Sequence, residues 1–168
     1  SAGNYTKKIE LNNIMGLSAA NHLTIEGASK TGSILTSDGL GTNNATILVD
    51  SSSFITFKNM TIKNEGTNLG RGIMVRFNSN NITVDNCIIE ATNPTANTNL
   101  QVVGVFMGPS FTSNFTEGDN GDNLVVNNCT FIGTQYGVQI EHFLPDPGKY
   151  FSITDCNFID NQDAAINV

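Results

Sequence analysis

The chain has 168 residues, room for one domain, and carries 8 Lys and Arg against 15 Asp and Glu, a net charge of −7. That balance offers no basic footprint for a phosphate backbone, which argues against nucleic acid as a partner. No apolar run reaches the roughly 18–20 residues of a spanning helix, so no membrane span is expected; 39% hydrophobic residues suffice for a core, while 24 Asn, 18 Thr and 16 Gly weigh against helices.

In chain order, a loose first copy of a repeat appears at Leu23-Thr-Ile25 with Gly27 and Ala28. It sharpens at Ile55-Thr-Phe57, Asn59, Met60-Thr-Ile62, and returns at Ile82-Thr-Val84, Asn86, Cys87-Ile-Ile89. Two more copies follow, Leu124-Val-Val126, Asn128, Cys129-Thr-Phe131 and Phe151-Ser-Ile153, Asp155, Cys156-Asn-Phe158. Positions 59 and 86 are 27 residues apart, as are 128 and 155; positions 86 and 128 are 42 apart, one period plus an insertion. A third short strand completes each unit, at Ile73/Val75, Val105/Met107, Val138/Ile140 and Ile166/Val168, with Gly72, Gly104, Gly137 and Ala165 just before. Period-2 alternation in three short segments per repeat predicts strands.

One such coil cannot bury its inner face, whereas stacked coils can. The expected architecture is all-β: a single-stranded parallel β-helix, a solenoid of about five coils of three short strands, in one domain spanning 1–168. Residues 1–20 form an opening segment and 21–168 the coils. Parallel neighbours lie about 4.7–4.9 Å apart, so like residues should stack in columns. One column is Ile55, Ile82, Leu124 and Phe151, and another is Met60, Cys87, Cys129 and Cys156. Asn59, Asn86, Asn128 and Asp155 should occupy a tight turn, since Asn tolerates left-handed backbone. A β-sandwich is the competing architecture; it would have no reason to repeat Asn and Cys at one spacing. Long polar connections at 90–102, 108–121 and 142–149 mark two corners as loop-bearing.

These apolar pairs with Asn turns resemble the right-handed parallel β-helix of the pectin lyase-like superfamily, from about residue 21 to the end. The opening Gly3-Asn-Tyr5-Thr-Lys-Lys-Ile9-Glu-Leu11 resembles that of β-helix regions in secreted bacterial surface proteins. The stretch from Ala45 to Asn64 is similar both to those regions and to pectin methylesterases. The esterase likeness implies a Gln-Asp-Thr segment six residues after a coil's Cys, yet Cys87 is followed there by Asn93, Pro94 and Thr95. It also implies a nucleophilic Asp after a Gly-Thr pair, yet Gly133-Thr134 leads to Gln135 and Tyr136. Gln162-Asp163 imitates the motif out of register. Without the two carboxylates neither proton transfer nor attack on an ester has an agent.

A pectate lyase likeness implies acidic calcium ligands and an Arg or Lys base. Calcium is the one candidate cofactor, with Glu117, Asp119 and Asp122 as ligands from one loop and Asp85 and Glu90 on the neighbouring coil. A solvated acidic loop explains the same residues. Arg71 and Arg76 flank the third strand as outward residues suited to an acidic sugar, or as ordinary surface arginines. Tyr136, Glu141 and His142 form a second candidate ligand-binding patch, an aromatic beside polar groups. His22 lies on another coil, so neither a zinc site nor a Ser-His-Asp triad assembles. Cys87, Cys129 and Cys156 are expected as inward, packed thiols, with a disulfide as the alternative. Six Asn-X-Ser/Thr sequons, at Asn4, Asn44, Asn59, Asn81, Asn114 and Asn128, follow from the composition.

The chain stops at Val168 on a third strand without a polar cap, which predicts further coils in a parent chain or end-to-end self-association. The expected function is a non-catalytic β-helix segment, secreted or at the cell surface, adhering to or binding a polysaccharide or cell-surface glycan through its loops. A calcium-dependent, pectate lyase-like enzyme, or a fragment of one, is the second reading, and a structural spacer the third.

Overall fold

The computed structural model describes residues 2–38, 44–66, 70–91, 102–108, 121–141 and 150–168. Seventeen short strands among these residues form three parallel sheets. The first sheet takes β1 (Gly3–Thr6), β4 (Ser33–Ser37), β7 (Thr61–Asn64), β10 (Ile88–Ala91), β13 (Thr130–Ile132) and β16 (Asn157–Ile159), in that order. The second takes β2 (Ile9–Asn12), β5 (Ala45–Asp50), β8 (Arg71–Arg76), β11 (Val103–Met107), β14 (Tyr136–Ile140) and β17 (Ala164–Asn167). The third takes β3 (Leu23–Glu26), β6 (Ile55–Lys58), β9 (Ile82–Asp85), β12 (Leu124–Asn127) and β15 (Phe151–Thr154). Five successive triplets from β3 onward are the expected coils.

Each neighbour in a sheet comes from the next coil, so the chain winds as a solenoid. The column Ile55, Ile82, Leu124 and Phe151 is in register across four strands of the third sheet. All strand ladders among the described residues are parallel, which removes the sandwich alternative. In the opening segment β1 pairs with β4 and β2 with β5, so these two strands stack on the first coil. Their alternating Tyr5, Ile9 and Leu11 extend the same inner surface, and Ile9 and Leu11 pack on the core.

The core lies inside the coils, where Ile47, Phe57, Ile62, Ile73, Val84, Ile89 and Phe131 are fully buried. The turn between the third and first sheets works as the Asn spacing suggests. Asn59, Asn86, Asn128 and Asp155 have φ of 55°, 50°, 51° and 52°, in the left-handed region that Asn and Asp adopt at low cost. Their side chains also join the coils. Asn128 Nδ2 donates to Asn86 Oδ1 at 3.2 Å, Asn86 to Asn59 at 2.7 Å, and Asn59 to Glu26 Oε1 at 2.7 Å. A second left-handed column, not expected from the sequence, precedes the third sheet at Phe54, Asn81, Asn123 and Tyr150.

The second sheet breaks simple alternation. Ile73 and Val75 point into the core, yet so does Gly72, whose missing Cβ would stand 2.5 Å from Ile89 Cγ2 and 2.6 Å from the Gly104 carbonyl oxygen. Two consecutive inward residues turn the corner from the first sheet. Gly104 repeats the arrangement one coil later, with its missing Cβ 2.5 Å from both the Gly137 carbonyl oxygen and Phe131 Cδ1. Glycine is therefore required by close backbone approach, not by φ. Gly104→Ala is expected to lower the unfolding free energy by about 1–3 kcal/mol, the usual scale of overpacking. Urea unfolding with an unchanged midpoint would contradict the assignment.

Candidate functional site

Strands of the second sheet carry near-continuous apolar runs, Ala45-Thr-Ile-Leu-Val49 and Val102-Val-Gly-Val-Phe-Met107. Such runs suit strands buried on both faces. The structure agrees. Ile47, Val49, Ile73, Val75 and Val105 belong to the inner core, while Ala45, Leu48, Met74, Val103 and Phe106 form a second buried cluster with Tyr136 packed against it. Because the two clusters alternate along the same strands, the second one lies on the outer face of this sheet.

Polar groups sit within that outer cluster. Arg71 lies in register with Ala45 and Val103, and Val103 with Tyr136. The corner at Gly72 puts Arg71 on the outer face, with its guanidinium 4.4 Å from the centre of the Phe106 ring. Arg71 is only 2% exposed, not the open surface arginine that the sequence suggests. Burial lowers its pKa to about 10, against the opposing pull of Glu141. It stays charged at neutral pH, so folding carries the cost of its desolvation.

Glu141 follows β14 on the same face. Its carboxyl is raised above the ordinary range by burial, with Arg71 acting in the opposite direction. Gln139 is buried between them in sequence; its Nε2 donates to Glu141 Oε1 at 2.8 Å, and its Oε1 is buried without a hydrogen-bond partner. Tyr136 is half-buried, its phenol raised by burial first and then by the charge of Asp163 and a hydrogen bond to it. Asp163 also accepts from Gln135 Nε2 at 2.5 Å.

Arg76 ends β8 in a different situation. Its Nη2 and Nε reach Asp50 Oδ2 at 2.7 and 2.8 Å, and its guanidinium lies 4.7 Å from the centre of the Phe77 ring. The structure thus brings Arg71, Tyr136 and Glu141 onto one face, and places Arg76 on the same strand in a local ion pair. His142 lies outside the described residues.

A family model described as "Right handed beta helix region" matches residues 3–168. The chain belongs to the right-handed β-helix family. No curated protein and no solved structure matches it.

In this right-handed β-helix, Glu117 and Asp119, two of the calcium ligands expected from the sequence, lie outside the described residues. The Asp122 amide donates to Asn80 Oδ1 at 2.6 Å. Asp85, on the third sheet, accepts from Asn127 Nδ2 at 2.8 Å. Glu90, on the first sheet, pairs with Lys63 at 3.3 Å. No group of three His, Cys, Asp or Glu among the described residues is placed to share a metal.

The outer face of the first sheet has a concavity of about 390 Å³, lined by Asn4, Thr6, Thr36, Thr61, Lys63 and Glu90 among others. Its charges are already matched, since Lys63 bridges Glu65 at 3.4 Å and Glu90 at 3.3 Å, which holds the Lys63 ammonium above its ordinary pKa. Sequence reasoning missed Phe106 and Gln139 on the second sheet. The unbroken apolar run around Phe106 is the signal that it needed.

Proposed function

We propose that this β-helix is a non-catalytic segment that binds a neutral, hydroxyl-rich polysaccharide on the outer face of its second sheet. The observation that carries the reading is the polar pair Arg71 and Gln139, buried on an outer face whose neighbours Leu48, Met74 and Phe106 are apolar. A buried guanidinium and an unpartnered amide oxygen both oppose folding. Such groups are the ones that a ligand hydroxyl rewards.

Charge selects the class of sugar. Arg76 is engaged by Asp50, and Arg71 is balanced in part by Glu141, so among the described residues these two arginines leave little surplus positive charge for a polyanion. A neutral sugar ring stacking its C–H face on Tyr136, with hydroxyls bonding to Gln139 and Glu141, fits better than the acidic sugar expected from the two arginines alone. Placement outside the cell or on its surface rests on the resemblance of residues 3–11 to secreted bacterial surface proteins.

A glycan array followed by calorimetry tests this. Arg71→Met and Gln139→Leu are expected to weaken binding of a neutral glycan by about tenfold or more, the value of one charge-assisted hydrogen bond. Arg71→Met takes a counter-charge from Glu141 and a cation from the Phe106 ring, and Gln139→Leu takes a hydrogen bond from Glu141, so urea unfolding of both variants accompanies the binding measurement. Binding unchanged in both variants would overturn the reading. Release of unsaturated sugars from pectate, followed by absorbance with and without calcium, would replace it with a lyase.

A further inference from the structure

Met60, Cys87, Cys129 and Cys156 occupy one position in four successive coils. The backbone fixes their stacking. Ile88 N–H donates to the Met60 carbonyl at 3.0 Å, Thr130 N–H to Cys87 at 2.9 Å, and Asn157 N–H to Cys129 at 2.8 Å. All three cysteines are free; Cys87 and Cys129 are 0% and 1% exposed, and Cys156 is partly buried. Each thiol donates to the carbonyl two residues before it, Cys87 to Asp85 at 3.3 Å, Cys129 to Asn127 at 3.2 Å and Cys156 to Thr154 at 3.1 Å. The three side chains therefore share one orientation, and their sulfurs repeat at the strand spacing of about 4.7–4.9 Å.

That spacing has a chemical meaning. A disulfide needs its Cβ atoms about 3.8 Å apart, closer than parallel neighbours stand. Two sulfurs on opposite sides of one soft metal ion, each bond about 2.3 Å, are separated by about 4.6 Å. Since no third His, Cys, Asp or Glu joins the pair among the described residues, a tetrahedral zinc site does not form. Two sulfurs and nothing else suit a soft cation that accepts linear coordination.

We propose that adjacent thiols of this column, Cys87 and Cys129 first, bind one soft monovalent cation of the copper(I) class between them. The ion takes the place of the proton on one thiol, that proton leaves to solvent, and the second thiol keeps its proton and donates a sulfur lone pair. No electron is transferred. The buried product is neutral, as a dry core requires.

Three single variants test the pairing, because each retains two of the three thiols. Cys156→Ala keeps the Cys87–Cys129 neighbours, Cys87→Ala keeps Cys129–Cys156, and Cys129→Ala leaves two thiols a double spacing apart. Silver(I) is the probe, a monovalent soft ion that is stable in air, titrated against a competing small thiol and read by native mass spectrometry. The wild-type chain and Cys156→Ala are expected to hold one silver ion. Cys129→Ala is expected to lose at least tenfold in affinity, and Cys129→Val, which fills the space, should lose the same. Equal silver affinity in Cys129→Val and Cys156→Ala, or no retained ion in the wild type, would overturn the proposal.

Discussion

Phe131→Ala is expected to lower the unfolding free energy by about 3–5 kcal/mol, the range for removing a large aromatic from a packed core. Phe131 is fully buried and stands in register between Ile89 on one coil and Phe158 on the next. Its ring lies 5.0 Å from that of Phe158 at 7°, a stacked pair, which adds about 0.5–1.5 kcal/mol to the area term. The corner glycine Gly104 approaches the same ring, so no side chain from that direction can close the cavity. Solenoids unfold by nearest-neighbour terms, and the loss should appear first in the last coils. Hydrogen exchange that quickens in β13 and β16 while β5 and β8 keep their protection is the expected pattern. An unfolding free energy in urea within about 1 kcal/mol of wild type would contradict the packing.

Asn64→Ala should cost about 3 kcal/mol for a different reason. Asn64 is 1% exposed at the corner between β7 and β8. Its Nδ2 lies 2.8 Å from the Asn44 and Arg71 carbonyl oxygens, and its Oδ1 accepts from the Gly66 amide at 2.9 Å. Thr46 Oγ1 is also within 3.2 Å, and it shares a 2.7 Å hydrogen bond with Ser37 Oγ. One side chain thus satisfies three backbone groups from three successive segments. Removing it leaves the Gly66 amide without its acceptor and takes a donor from the Arg71 carbonyl, at roughly 1–3 kcal/mol for a stranded group, while the Asn44 carbonyl keeps the Arg71 amide at 2.9 Å. Asn64→Asp tests the donor role directly, because it keeps the shape and turns the two donated bonds into repulsions. It should be as destabilised as the alanine variant near neutral pH; a fully stable aspartate variant would refute the assignment.

The strands that repeat in sequence were the readable ones. Ile82 and Leu124 meet the same surroundings one coil apart, so one spacing describes both. Asn86 was readable because its turn needs a left-handed residue, and Asn is the residue that accepts one without losing its polar bonds. The equivalent turn before the third sheet was hidden, since Phe54 and Tyr150 hold left-handed backbone there in place of Asn. Tertiary context overrides local preference at those two positions.

The candidate site was legible only in part. Arg71 and Arg76 read as twins flanking a strand, but Gly72 spends one inward position at the corner and so sets where Arg71 lies. Burial of Arg71 depends on Phe106, more than thirty residues away in sequence and next to it in space. Charge type alone pointed to exposure. Gln139 carried no motif, and its significance comes from an unpartnered oxygen that only coordinates reveal.

Columns of equivalent residues, one per coil, underlie both the outer face and the sulfur stack. Pulsed electron paramagnetic resonance between spin labels at positions 24 and 152 tests that arrangement most directly. Thr24, Thr56, Thr83, Val125 and Ser152 follow one another in register, so four strand spacings of about 4.8 Å separate the ends. The backbone distance should be about 19 Å, and moving the first label to Thr56 should shorten it by about 4.8 Å. A separation that does not change with coil number would contradict the stacked solenoid.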